Sequence, residues 1–132
     1  MGRRLLVVDD DEDIQVLLKS VLESEDYEVI TAGDGLVALN ELEQSTPDLI
    51  LLDLMMPRMD GYTFAEELRQ RGLQSSIPVI VLSADVNAKQ KVQQMGAEDY
   101  ITKPFDLHDL LNKISQSMEH LVPEQQLGLP HD

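Results

Sequence analysis

The chain has no cysteine, so disulfides, thiolate metal sites and thiol nucleophiles are all excluded. It is poor in positive charge. Ten Lys and Arg stand against 25 Asp and Glu, a net charge of −15 at pH 7. A domain so acidic is not expected to grip phosphate backbones or anionic lipid directly, and its natural partners are cations and basic protein surfaces. It also lacks any apolar run long enough to span a membrane. Before the first acids the N-terminus offers only Leu5–Val8, too short for a signal-peptide core. Gly2 follows Met1, but Leu6 occupies the place where myristoylation wants Ser or Thr. There is no internal repeat and no low-complexity segment. A soluble cytoplasmic protein is the expectation.

What is present is one ordinary domain. The 132 residues, 42% apolar and 27% charged, suffice for a single sizeable core. Arg4–Val8 is a strand-like run that breaks on Asp9, Asp10, Asp11, Glu12 and Asp13. Ile14, Leu17, Leu18, Val21 and Leu22 then recur at helical spacing. Acids suit a helix cap and first turn, which accounts for Asp11, Glu12 and Asp13. It accounts less well for Asp9 and Asp10, which finish a strand.

Glu28–Ala32 is a short β-rich run, and the helix after Gly35 carries Ala38, Leu39 and Leu42 inward. Leu49–Gly61, reading LILLDLMMPRMDG, is an apolar run ending on Asp53 and followed by a turn. Gly61–Gln70 reads as a helix with Phe64, Ala65 and Leu68 inside. Ile77–Leu82 is another apolar run, ending on Ser83 and Ala84. Asn87–Gln94 is the weakest helix, with Ala88, Val92 and Met95 as its apolar positions. Tyr100–Thr102 runs into Lys103, Pro104 and Phe105. The helix from Asp106 has a strong stripe of Leu107, Leu110, Leu111, Ile114 and Met118. We divide the chain into a domain over residues 1–118 and a tail or linker over 119–132, where Pro123, Gly128 and Pro130 interrupt the pattern.

Five strands alternate with five helices at short connections. That predicts an α/β domain, doubly wound, with a five-stranded parallel sheet in the flavodoxin-like order 2-1-3-4-5. The polar-bounded Glu28–Ala32 suits an edge, and the two most apolar runs suit the middle. Asp9, Asp10 and Asp53 then meet at the carboxyl edge of the sheet. Three carboxylates there repel one another unless a cation neutralises them, and a hard cation such as Mg²⁺, with Mn²⁺ as the alternative, suits oxygen ligands.

Five short signals occur in order on these segments: VVDD at Val7–Asp10, DLMMP at Asp53–Pro57, DG at Asp60–Gly61, SA at Ser83–Ala84 and KPF at Lys103–Phe105. Together they resemble the receiver domain of two-component response regulators, a phosphoacceptor signalling module, from roughly Arg4 to Met118. The resemblance implies that Asp53 is the phosphorylated nucleophile. It implies metal binding by Asp10, Asp53 and the main-chain carbonyl of Met55, with Asp9 acting largely through water. Ser83 and Lys103 would contact the phosphoryl group, a cis Lys103–Pro104 bond would turn the lysine inward, and Ser83 and Tyr100 would form the switch. Met55 and Asp85 match positions that tune the lifetime of the aspartyl phosphate, and an apolar Met55 implies slow self-hydrolysis. His108, His120 and His131 lack metal-ligand spacing and read as surface residues.

The implied partners are a sensor histidine kinase or phosphotransfer protein upstream and an effector protein or output domain downstream. A phosphorylation-dependent homodimer through residues 87–94, 99–102 and 106–118 is a further expectation, with Lys89 facing Asp109 and Asp99 facing Lys113. The alternatives are a scaffold that keeps the fold without the chemistry and a Mg²⁺-dependent phosphohydrolase. The hydrolase would want an acid where Met55 stands. A flavin module would want a Ser/Thr/Gly-rich loop after the first strand, which is missing. On balance the chain reads as a signalling module, not an enzyme.

Overall fold

The computed structural model describes residues 3–56, 58–73, 76–84 and 88–127. Pro57, Asp85, Asn87 and His131, with the side chains of Lys91 and His120, lie outside the described residues. Strands β1 (Arg4–Val8), β2 (Glu28–Ala32), β3 (Leu49–Asp53), β4 (Val79–Ser83) and β5 (Asp99–Thr102) alternate with helices. The helices are α1 (Glu12–Glu23), α2 (Gly35–Gln44), α3 (Gly61–Gln70), α4 (Ala88–Met95) and α5 (Leu107–Leu127). All four strand pairings are parallel, in the order β2-β1-β3-β4-β5. This is the expected doubly wound architecture, with β2 at one edge and the four-residue β5 at the other.

Alternation along each strand sorts the core into two layers. Leu6, Val8, Ile50, Leu52, Val79 and Val81 face α2, α3 and α4, whose Leu39, Phe64, Leu68 and Val92 cover them. Leu5, Val7, Leu49, Leu51, Ile80 and Leu82 face α1 and α5, against Leu18, Leu22, Leu110 and Ile114. Because both faces are covered, β3 and β4 are buried at every position. That is why they read as unbroken apolar runs.

The starts of α1, α2, α3 and α5 each have a local cause. The carboxylates of Asp11, Asp34 and Asp60 accept backbone N–H groups in the first turns of α1, α2 and α3, and Asp106 does so for His108 and Asp109 in α5. Such caps are worth about 1 kcal/mol each.

Several boundaries and faces differ from the sequence reading. The fourth strand begins at Val79, not Ile77; Pro78 has no N–H to give the ladder, and only its carbonyl joins it, accepting from Ile50 at 3.0 Å. Helical spacing places Leu17 inside, but it is 40% exposed. A helix lying on a sheet turns only a narrow stripe inward, and Leu18 and Leu22 fill it. Val16 beside it is 69% exposed. The last helix continues past Met118, where its apolar stripe ends, to Leu127; Glu, Gln and Leu there are good helix formers.

Candidate functional site

Parallel register brings the site together. Val8 pairs with Leu52, Asp53 with Leu82, and Ser83 with Thr102. The residues that end β3 and β4, and those that follow β1 and β5, therefore share one edge. Asp9, Asp53, Ser83 and Lys103 come from four separate segments of chain and stand at that edge.

Asp9 is fully buried and Asp53 is 5% exposed, whereas Asp10 is exposed. Carboxylate oxygens from the three acids lie within 4.8 Å of one another. The Lys103 ammonium donates to Asp9 Oδ2 at 2.9 Å and stands 3.6 Å from Asp53 Oδ2. On the other side, Asp9 Oδ1 accepts the Asp11 N–H at 3.0 Å and Asp53 Oδ1 accepts the Met55 N–H at 3.2 Å. The Lys103–Pro104 peptide is cis, and the Lys103 N–H donates to the Ser83 carbonyl at 2.7 Å. The lysine is thus anchored by its backbone to the end of β4 while its side chain crosses to β1 and β3.

Burial, and after it the neighbouring Asp9 charge, pushes the Asp53 carboxyl up to about 6, although Lys103 and the Met55 N–H pull it down. Burial alone would lower the Lys103 ammonium; the hydrogen bond to Asp9 and the charges of Asp53 and Asp9 outweigh it and raise its pKa. The site holds more negative charge than one lysine balances. Its donors are all oxygen, which is what a hard divalent cation requires. The residues present therefore fit such an ion, with Asp9, Asp10 and Asp53 as the donor cluster.

Ser83 is buried at the end of β4. Tyr100 is half-buried in the adjacent β5, opposite Val81, and packs with the layer that α2, α3 and α4 cover. The Met55 side chain is 76% exposed. His108 is exposed, as expected. Asp99 and Lys113, anticipated as partners across a dimer, already pair within one chain at 3.3 Å. Lys89 and Asp109 are exposed.

The sequence carries no sign of the parts that Gln15, Asp34 and Arg58 play here, and it shows Gly61 only as half of a DG pair. The Gln15 amide donates to the Asp9 carbonyl at 2.6 Å, tying α1 to the acid turn. Asp34, 2% exposed, pairs with Arg58 across the neighbouring loops. Gly61 matters through its lack of a side chain. A Cβ there would lie 2.5 Å from the Asp53 carbonyl oxygen and 2.7 Å from Leu54 Cα, both backbone atoms. The start of α3 can lie against the end of β3 only with glycine, and the Gly61 N–H donates to the Leu54 carbonyl at 3.0 Å. Gly61→Ala is expected to cost about 1–3 kcal/mol by overpacking, read from urea denaturation. An unchanged midpoint would mean that the contact relaxes freely.

The family model for the response regulator receiver domain matches residues 5–115. The chain is 46% identical, over 80% of its length and 44% of the relative's, to the alkaline phosphatase synthesis transcriptional regulatory protein PhoP of Bacillus subtilis. It spans about half the length of the curated relatives it matches. Among solved structures, the Francisella response regulator 1452 receiver domain superposes with a TM-score of 0.83 at 31% identity, covering 91% of this chain and 99% of that one. Response regulator TrrA from Thermotoga maritima, in complex with Mg²⁺–BeF, does so with 0.78 at 33% identity, covering 87% and 98%. The sheet order, the acid cluster with its lysine, and these matches agree: the chain belongs to the response regulator receiver domain family.

Proposed function

We propose that this chain is a phosphoacceptor switch whose acceptor is Asp53. The observation that carries the reading is the buried Asp53 carboxylate held between two further carboxylates and the Lys103 ammonium. The donor is the phosphohistidine of a sensor histidine kinase or phosphotransfer protein. An Asp53 oxygen attacks phosphorus, the P–N bond breaks, and its electron pair returns to the imidazole, leaving an aspartyl phosphate. Transfer of this kind asks mainly for positioning and charge neutralisation.

Lys103 would shift its contact toward the new phosphoryl oxygens, and Ser83 would offer them its hydroxyl. Asp10, Asp53 and the Met55 carbonyl are the proposed ligands of Mg²⁺, or of Mn²⁺ in its place, with Asp9 acting largely through water. Such an ion would neutralise charge on the transferring group. With Met55 exposed and apolar, no side chain at that position orients an attacking water, and slow self-hydrolysis follows.

Ser83 and Tyr100 form the switch in this reading. Drawing the hydroxyl inward leaves room beneath α4, and the half-buried Tyr100 turns into it. The face affected is made of residues 87–94, 99–102 and 106–118, and it would present a homodimer or effector surface. Because Asp99 and Lys113 are already paired, a dimer has to exchange that contact or share it. Sedimentation of the phosphorylated chain, unchanged from the free form across concentrations, would rule the dimer out.

Residues 1–118 would be the receiver unit and 119–132 the start of a tail or linker. An output domain is in keeping with the transcriptional regulators among its relatives, of which it matches about half. The charge of −15 does not favour direct contact with nucleic acid or anionic membrane. Among the described residues no helix is long and apolar enough to cross a membrane; a cytoplasmic setting fits a kinase-fed switch. We read the chain as a signalling module that catalyses only its own modification.

The test is intact-protein mass after incubation with Mg²⁺ and acetyl phosphate. The parent should gain one phosphoryl group, require the metal, and lose the gain entirely in Asp53→Asn. No gain by folded, Mg²⁺-bound protein would favour the scaffold reading. Many turnovers of phosphate release would favour a hydrolase.

A further inference from the structure

The loop between β3 and α3, residues 54–60, starts directly after Asp53, and its Met55 N–H reaches that carboxylate. A loop that lends main-chain groups to a site has to be held by contacts outside the site. Two ties join this one to the turn between β2 and α2. The Met59 carbonyl accepts the Gly35 N–H at 3.2 Å, and a Cβ on Gly35 would lie 2.7 Å from Met59 Cγ. The second tie is ionic. Arg58 Nε donates to Asp34 Oδ2 at 2.8 Å, and its Nη2 bonds to the same oxygen.

Asp34 is more than a surface acid that happens to lie near an arginine. It is 2% exposed, and its other oxygen caps α2 by accepting the Val37 N–H at 3.0 Å. Burial would raise its carboxyl, but the Val37 N–H and then the Arg58 guanidinium hold it below the usual value. Arg58 sits at φ 63°, a left-handed conformation uncommon for a residue with a side chain. Local preference would not hold Arg58 in this conformation, so tertiary contacts must.

We propose that Arg58 is a positioning residue for the acid pocket. Through its ion pair with Asp34 it holds the 54–60 loop so that the Met55 main chain stays aimed at Asp53 and at a divalent cation bound there. Arg58 touches none of the reacting atoms in this role; it sets the geometry of the groups that do.

The proposal rests on the metal-binding part of the function above, and one experiment separates the two. Mg²⁺ alone is titrated calorimetrically into the full chain and into Arg58→Ala, Arg58→Lys, Asp34→Asn and the Arg58→Ala/Asp34→Asn double variant. Each is held well below its melting temperature, found by circular dichroism. Arg58→Ala should weaken Mg²⁺ binding about tenfold, the low end for losing an outer-shell orienting group. Arg58→Lys should recover part of that loss. Asp34→Asn keeps an oxygen for the Val37 N–H but loses the ion pair, and should weaken binding comparably. In the double variant the two losses should not add.

Parent-like affinity in Arg58→Ala, with only a lowered melting temperature, would overturn the proposal: the pair would then be a stabilising contact. Additive losses would overturn it as well, since Arg58 would be acting by another route. If the folded parent binds no Mg²⁺, the metal reading falls and takes this one with it. Should Arg58→Ala not fold, Arg58→Gln, which keeps the stem and loses the charge, carries the same comparison.

Discussion

Lys103→Ala is expected to destabilise the metal-free protein by about 3–5 kcal/mol at neutral pH, the usual result of removing one partner from a buried ion pair. The lysine is the cation that contacts Asp9, whose side chain is fully buried, and it lies 3.6 Å from Asp53, whose side chain is 8% exposed. Without it two buried carboxylates are left against each other, and protonating one is the cheapest relief. The loss should therefore shrink as pH falls toward 5.

The raised pKa of Lys103 gives the complementary sign. Its stabilising contribution is complete below 10.5, the ordinary lysine value, and disappears only as pH rises through the higher folded value. At pH 7 the contribution is intact. Urea denaturation in chelator, from pH 5 to 8, measures both effects, and millimolar Mg²⁺ should restore much of the loss by mass action. A difference below about 1 kcal/mol at pH 7 would mean that the carboxylates are solvated well enough to tolerate each other.

The second large effect runs the other way. Asp53→Asn should stabilise the metal-free protein at neutral pH. The Asp53 carboxyl titrates at about 6 when folded, against 3.8 ordinarily, because burial and the Asp9 charge disfavour its ionised form. Between those values the folded chain holds a proton that the unfolded chain has released. Stability from this group therefore falls as pH rises through that window, and the full cost is present above about 6. The size is on the order of 2–3 kcal/mol.

The amide does not titrate, so the variant should match the parent near pH 4 and exceed it at pH 7. Denaturation curves for both proteins, in chelator and across that range, decide the matter. Parallel stability profiles would show that Asp53 is not strained by its neighbours. Saturating Mg²⁺ should reverse the order, because it stabilises the protein that binds it better. The same carboxylate that would accept the phosphoryl group is then one whose charge the metal-free fold disfavours.

Legibility followed the range of the forces involved. The Asp11 cap acts within three residues, and apolar alternation within a strand is equally local. Both leave a mark in the sequence that survives into the fold, whereas Asp34 and Asp60, which cap α2 and α3, read in the sequence only as breaks in the chain. Leu17 misled because helical spacing marks a stripe wider than a sheet can cover. The start of β4 misled because Ile77 is buried like a strand residue while Pro78 cannot donate to the ladder. Arg58 carried no signal at all. Its partner lies 24 residues earlier, and its left-handed backbone (φ 63°) is one that an arginine rarely adopts. Asp99 and Lys113 were recognisable as a pair, but opposite charge does not say whether two residues meet within a chain or between two.

From its amino acids alone, then, the chain is an α/β domain with a parallel sheet, because strand-like and helical segments alternate at short connections and runs such as Leu49–Leu52 suit burial on both faces. Its acids and lysine fall at the carboxyl ends of the strands or just after them, so they gather at one edge whatever the details of packing. Which acid is buried, and which the lysine holds, depends on register. Asp9 and Asp10 are adjacent in sequence, yet one is enclosed and the other faces solvent. Lys103 stands nearer to Asp9, 94 residues away, than to Asp53. Contacts of that span form only once β1, β3, β4 and β5 are aligned, since it is the shared sheet, not any local pattern, that sets the distance between their ends.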